Sequence, residues 1–309
     1  MEIFESNYKS QEGKECVLAL GNFDGVHAGH VHLMKRAKEY AKENNLLFGV
    51  YTFLDSPKFF GAHHSILTTT QQRLSYIKER VSPDFVYLEK FDDVKNLSPS
   101  QFVDCIIEKF SCKCTFCGEN FSFGFKASGK SDDLLLLMKQ KGKDAHIVDS
   151  LKDDGEIVSS TLIKKLLSEG DAQRAERLLG APYGFTSKVV HGAHLGHKLG
   201  FPTINQVIPT PLVLPKFGVY ATVVIVDSKE YMGVTNFGVK PTVSSDGTPV
   251  AETYIIDFDG DIYEKYAGIY FLTMLREEKK FGSLDELIEN IKLNVKQTRE
   301  FFKEKYEKN

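Results

Sequence analysis

His27 and His30 stand three residues apart at the end of Gly21-Asn22-Phe23-Asp24-Gly25-Val26-His27-Ala28-Gly29-His30. Glycines let a backbone come close to a ligand, and a helix that begins where they end offers free N–H groups to an anion. Two imidazoles at that point can donate hydrogen bonds to the α and β phosphates of a nucleotide as pyrophosphate leaves. Such a transfer asks the protein mainly to align two phosphates and neutralise charge. For H-x-x-H alone, a glycine-rich turn with a capping histidine stays open as the plainer reading.

A second stretch, Gly192-Ala193-His194-Leu195-Gly196-His197-Lys198-Leu199-Gly200-Phe201-Pro202-Thr203-Ile204-Asn205, is again rich in glycine, as a flap over phosphates would be. Thr203 and Asn205, two apart in an extended segment, point the same way and carry oxygen donors suited to a hard cation such as Mg²⁺; read alone, Pro-Thr-x-Asn is also an ordinary turn. His191, His194 and His197 imitate a zinc site, the alternative being a solvated loop. Two further strings invite chemistry. Gly124-Phe125-Lys126-Ala127-Ser128-Gly129-Lys130-Ser131 satisfies the P-loop pattern literally, and Cys112, Cys114 and Cys117 form C-x-C-x2-C. No second cysteine pair or nearby histidine completes a tetrahedral set, and a buried strand accounts for those thiols equally well.

The elements that must position these residues change character along the chain. From residue 16 to about 150, apolar runs at Val17–Leu20, Leu46–Phe53, Phe85–Leu88, Lys113–Cys117 and Ala145–Asp149 alternate with helical patterns such as His30–Glu43. That predicts a parallel sheet covered on both faces, with ligands beyond the carboxyl ends of its strands. Residues 159–179 read as two short helices. After Pro182, extended segments at Gly184–Val190, Val219–Val226, Tyr231–Phe237, Thr253–Phe258 and Ile269–Leu275 predict a compact antiparallel barrel, closed by a helix over Leu284–Lys305. The boundary is expected near Gly180–Tyr183, dividing the chain into domains 1–181 and 182–309.

Length alone suggests about two domains. A composition of 42% hydrophobic and 26% charged residues is that of an average globular protein, and the net charge of −3 argues against a nucleic-acid partner. Met1–Ser10 carries Glu2 and Glu5 and no apolar stretch, so no signal peptide is expected there; apolar runs are too short to span a membrane, and five cysteines are no disulfide framework. The expectation is a cytoplasmic protein with small-molecule partners, its oligomeric state unassigned.

The string G-N-F-D-G-V-H-x-G-H resembles the nucleotide signature of bacterial bifunctional riboflavin kinase/FMN adenylyltransferases, also called FAD synthetases. Leu67-Thr68, Gly118-Glu119-Asn120-Phe121-Ser122-Phe123-Gly124 and Val158-Ser159-Ser160-Thr161 follow in family order. Pro202-Thr203-Ile204-Asn205 resembles the family's P-T-A-N; Asn236-Phe237-Gly238-Val239-Lys240-Pro241-Thr242 and Leu275-Arg276-Glu277 to Phe281 match as well. The resemblance implies a Rossmann-like α/β nucleotidyltransferase domain followed by an antiparallel β-barrel riboflavin kinase domain. It implies that ATP and riboflavin give FMN, and that a second ATP and FMN give FAD. Carried over by residue, His27, His30 and Asn120 serve adenylyl transfer, and Gly21, Asn22, Phe23, Asp24, Gly25, Ser160, Thr161 and Lys164 hold its nucleotide. Gly192, Gly196 and Gly200 hold the nucleotide of the kinase, Thr203 and Asn205 its Mg²⁺, Glu252 is the general base at the opening of a strand, and Arg276 lies by the flavin. For Arg276, stacking on the ring, pairing with phosphate and an exposed salt bridge all stay open.

Lys164 stands where the family usually has Arg, and Thr52-Phe53-Leu54-Asp55-Ser56-Pro57 replaces a more usual F-D-P-H-P. A kinase with a degenerate adenylyltransferase half, a flavin-binding regulator without turnover and a nucleotidyltransferase for another acceptor are the rival readings.

Overall fold

A computed structural model describes residues 1–5, 14–54, 65–191, 199–239 and 248–306. They form two compact units, Met1–Leu162 and Ile163–Asn309.

The first unit runs β1 (Glu2–Phe4), β2 (Cys16–Leu20), α1 (Ala28–Glu43), β3 (Leu47–Phe53), α2 (Thr70–Arg80), β4 (Phe85–Glu89), α3 (Phe91–Val94), α4 (Pro99–Phe110), β5 (Cys112–Gly118), β6 (Ser122–Phe123), β7 (Gly129–Lys130), α5 (Ser131–Gln140), β8 (Asp144–Val148), β9 (Lys152–Asp153) and β10 (Glu156–Ile157). The main sheet has the order β1-β4-β3-β2-β5-β8, every pairing parallel. All five residues of β2 are buried, because helices cover both faces. Leu33, Met34 and Ala37 of α1 and Ile77 of α2 pack on one face; Phe102, Val103 and Phe110 of α4 and Leu134 and Met138 of α5 pack on the other. Capping boxes start α2 at Thr69 with Gln72, and α4 at Ser98 with Gln101.

The division between units falls inside α6 (Ser160–Glu169). Next, α7 (Ala172–Leu179) packs on β11 (Tyr183–Lys188) and β16 (Tyr266–Glu277), burying Ala172, Ala175, Leu178 and Leu179. Then come β12 (Thr203–Val207), β13 (Gly218–Val226), β14 (Lys229–Val239), β15 (Pro249–Ile255), β16 (Tyr266–Glu277) and α8 (Leu284–Tyr306). Every pairing in the sheet β11-β16-β13-β14-β15-β12 is antiparallel. A bridge from Val190 to Asn205 joins the chain just past β11 to β12, so the sheet curls into a barrel. β15 begins at Pro249, ahead of the expected start, because β12 and β14 both pair with it there. Glu252 therefore sits within the strand rather than at its opening.

Two alternatives end here. A register shift in the β2–β5 ladder turns Cys114 into one core layer, while Cys112 and Cys117 lie in the other, so the three thiols cannot converge on one ion. The P-loop string folds as the β6–β7 hairpin, with Phe123 opposite Gly129. The Asp133 carboxylate accepts the Lys130 N–H at 2.8 Å, and Asp132 and Asp133 fill the first turn of α5, a setting that repels phosphate.

Candidate functional site

β2 and β5 are the neighbours at which strand order reverses, and the crevice beyond their carboxyl ends is where such sheets bind ligands. The Gly21–His27 turn leaves β2 there, and Asn120 follows β5. The turn is set by packing. A Cβ on Gly21 would lie 2.8 Å from the Phe23 ring, which is 2% exposed and belongs to the core. Asp24 is buried too, its Oδ1 accepting the N–H groups of Leu67 at 2.8 Å and Thr68 at 3.2 Å, while Gly25 donates to Thr68 Oγ1. Arg73, equally buried and not signalled by the sequence reading, donates to the carbonyls of Asn22 and Phe53 and ties the ends of β2 and β3 together. Phe23, Asp24 and Arg73 thus shape the turn from beneath.

His27 caps α1, its Nδ1 accepting the His30 N–H at 3.4 Å, and the two imidazoles stack 3.5 Å apart. Burial pushes the His27 pKa down to about 4, opposed by a backbone hydrogen bond, so the ring is neutral near pH 7 with its proton on Nε2. No acidic residue occupies the first turn of α1. The start of α6 meets this turn: Ser160 Oγ donates to the Asp24 carbonyl at 2.9 Å, and a Cβ on Gly29 would stand 3.5 Å from the Val158 carbonyl. Two helix N-termini and two histidines therefore converge on one crevice, a setting that favours a polyphosphate. Asn120 and Thr161 are exposed; Lys164 is half-buried one turn beyond Ser160 on α6.

The second unit holds a cavity of about 190 Å³. Asn205, Glu252, Asn236, Val219 and Arg276 stand opposite one another in successive strands, a row along one sheet face. Thr203 Oγ1 donates to Glu252 Oε1 at 2.9 Å, and both side chains line the cavity. Glu252 is half-buried, Asn205 4% exposed. A hydroxyl, an amide and a carboxylate make an all-oxygen donor set, which fits a hard cation such as Mg²⁺. The Arg276 guanidinium lies 5.2 Å from the Phe281 ring centre and donates through Nε to Asn294 Oδ1 at 3.1 Å. Val234, Leu287 and Ile291 supply apolar wall. Asn294 escaped the sequence reading, although a polar residue at the 287–291–294 spacing of the α8 stripe was its signal. Gly200 adopts a left-handed φ of 79° in open space. Gly192, Gly196, His194, His197, the Asp55-Ser56-Pro57 segment and Lys240–Thr242 lie outside the described residues.

A parallel-sheet unit with two helix N-termini at one crevice, followed by a barrel whose cavity carries a carboxylate bonded to a hydroxyl, has the build of a two-site nucleotide-dependent transferase. The FAD synthetase family model matches residues 9–162 and the riboflavin kinase model residues 179–302. A bifunctional riboflavin kinase/FMN adenylyltransferase of Listeria monocytogenes is 31% identical across 93% of this chain and 92% of its own length. One from Pseudomonas fluorescens is 34% identical, covering 92% of each. A crystal structure described as a macrolide-efflux protein from Streptococcus pneumoniae is 28% identical, with a TM-score of 0.87 over 97% of this chain and 99% of that one. Efflux describes that protein; among the described residues here no helix is long and apolar enough to cross a membrane. The chain belongs to the family of bifunctional riboflavin kinase/FMN adenylyltransferases. Both halves are present, which supports two activities over a kinase alone.

Proposed function

We propose that this chain phosphorylates riboflavin to FMN in the barrel cavity and adenylylates FMN to FAD in the β2–β5 crevice, using one ATP at each. The observation that carries this reading is that the β2–β5 crevice and the barrel cavity each present chemistry that matches one of the two reactions. In the crevice, neutral His27 offers an N–H donor, and the starts of α1 and α6 add positive potential where pyrophosphate departs. Asn120, Thr161 and Lys164 are assigned to the same nucleotide. In the cavity, Glu252 accepts the proton of the riboflavin primary hydroxyl as it attacks the γ-phosphate. Thr203, already hydrogen-bonded to Glu252, and Asn205 would hold Mg²⁺. That ion, carried with ATP, supplies neutralisation of phosphate charge. A cytoplasmic location is part of the proposal, supported by five cysteines that are all free thiols.

Chromatography of flavin products tests it. Glu252→Gln is expected to cut FMN formation about a hundredfold or more and leave adenylylation of supplied FMN intact. His30→Ala is expected to do the reverse, with a loss of about 10²–10³. Equal loss of both activities in either variant would refute two independent sites.

A further inference from the structure

Helix α8 buries residues that a helix seated only for packing would not. Asn294 and Thr298 are the ones fully covered, at 2% and 0% exposed, while Leu293 is 51% exposed. A buried amide is kept where its hydrogen bonds have a use. Asn294 uses both ends: Nδ2 donates to Gln297 Oε1 at 3.1 Å, and Oδ1 accepts from Arg276 Nε at 3.1 Å. Nη1 of Arg276 donates to the Glu277 carbonyl at 3.1 Å, and the Phe281 ring flanks the guanidinium. These contacts fix its plane. Among the described residues no carboxylate pairs with Arg276, and Nη2 donates to no protein acceptor. The anchor is therefore neutral. Aspartate in its place would make a charge-assisted pair and cancel much of the field that Arg276 projects into the cavity.

Resting on the kinase reading of this cavity, we infer that Asn294 is a positioning residue: it orients Arg276 through Nε–H and leaves the positive charge for an electron-rich oxygen of the bound ligand. That oxygen belongs to the carbonyl edge of the flavin ring or to a phosphate, and kinetics separates the two. A ring contact raises the KM for riboflavin and the inhibition constant of FMN on the kinase reaction together. A phosphate contact raises only the FMN constant or the KM for ATP.

The experiment is steady-state kinase kinetics on the full chain. Asn294→Asp, nearly isosteric, is expected to raise the affected constant about tenfold with kcat within about twofold. Asn294→Leu removes the acceptor without adding charge and is expected to show the same rise, with a thermal melt checking that the variant is folded. In an Arg276→Ala background, Asn294→Ala should add nothing. Unchanged constants in Asn294→Asp and Asn294→Leu, or losses that multiply in the double variant, would overturn the inference. A parent protein that makes no FMN would instead overturn the reading of the cavity, and the inference with it.

Discussion

His27 holds a helix start with one ring nitrogen, and the burial of its ring makes it sensitive to acid. Its native pKa of about 4 lies below the ordinary 6.5 because burial penalises the cation. The unfolded chain consequently binds the proton first as pH falls. Above 6.5 both states are neutral and stability does not depend on this group. Between 6.5 and 4 the protein loses stability, in full by about 3 kcal/mol. Asparagine is a good N-cap and does not titrate. His27→Asn is therefore expected to fold, to lose adenylyl transfer, and to flatten the fall in urea midpoint between pH 7 and pH 4.5. An equally steep fall in both proteins would show that another group carries the acid sensitivity. Asp24 illustrates a different division of labour. The resemblance assigns it to the nucleotide, while its Oδ1 serves two buried backbone donors. Asp24→Ala is expected to destabilise by about 2 kcal/mol through those orphaned N–H groups, read as a drop in the thermal midpoint.

Elements with a strong apolar period were legible; elements defined by pairing were not. The five expected strands of the parallel sheet match β2, β3, β4, β5 and β8 within a residue at each end, because burial on both faces leaves an unbroken apolar run. β1 was missed: it is three residues long and mostly exposed at the sheet edge. The β6–β7 hairpin was missed because two-residue strands carry no period. That hairpin also decides the P-loop string. A P-loop lysine reaches phosphate from a loop wrapped around a helix start, whereas Lys130 is exposed in β7 and its backbone N–H is taken by Asp133. Lys130→Ala is expected to leave the KM for ATP of both activities within about twofold. A tenfold rise in either would restore a phosphate role for this loop. In the barrel, the Asn205–Glu252–Asn236–Arg276 row depends on the register of strands distant in sequence. Spacing within one strand cannot reveal such a row, so only the resemblance pointed to Glu252 and Arg276.

At the scale of the molecule, the two activities share an intermediate, and no residue is assigned to both. Every side chain assigned to phosphoryl transfer lies between Gly192 and Asn294, and those assigned to adenylyl transfer lie between Gly21 and Lys164. FMN is small and leaves the kinase as product, so a protein lacking one site should supply or consume the FMN of a protein lacking the other. Glu252→Gln alone, given riboflavin and Mg-ATP, is expected to make almost nothing. His30→Ala alone should stop at FMN. Mixed in equal amounts, the two should convert riboflavin to FAD after a lag in which free FMN accumulates, and the lag should shorten as protein concentration rises. FMN that builds up without becoming FAD in the mixture would mean that adenylyl transfer needs a kinase site intact in the same chain.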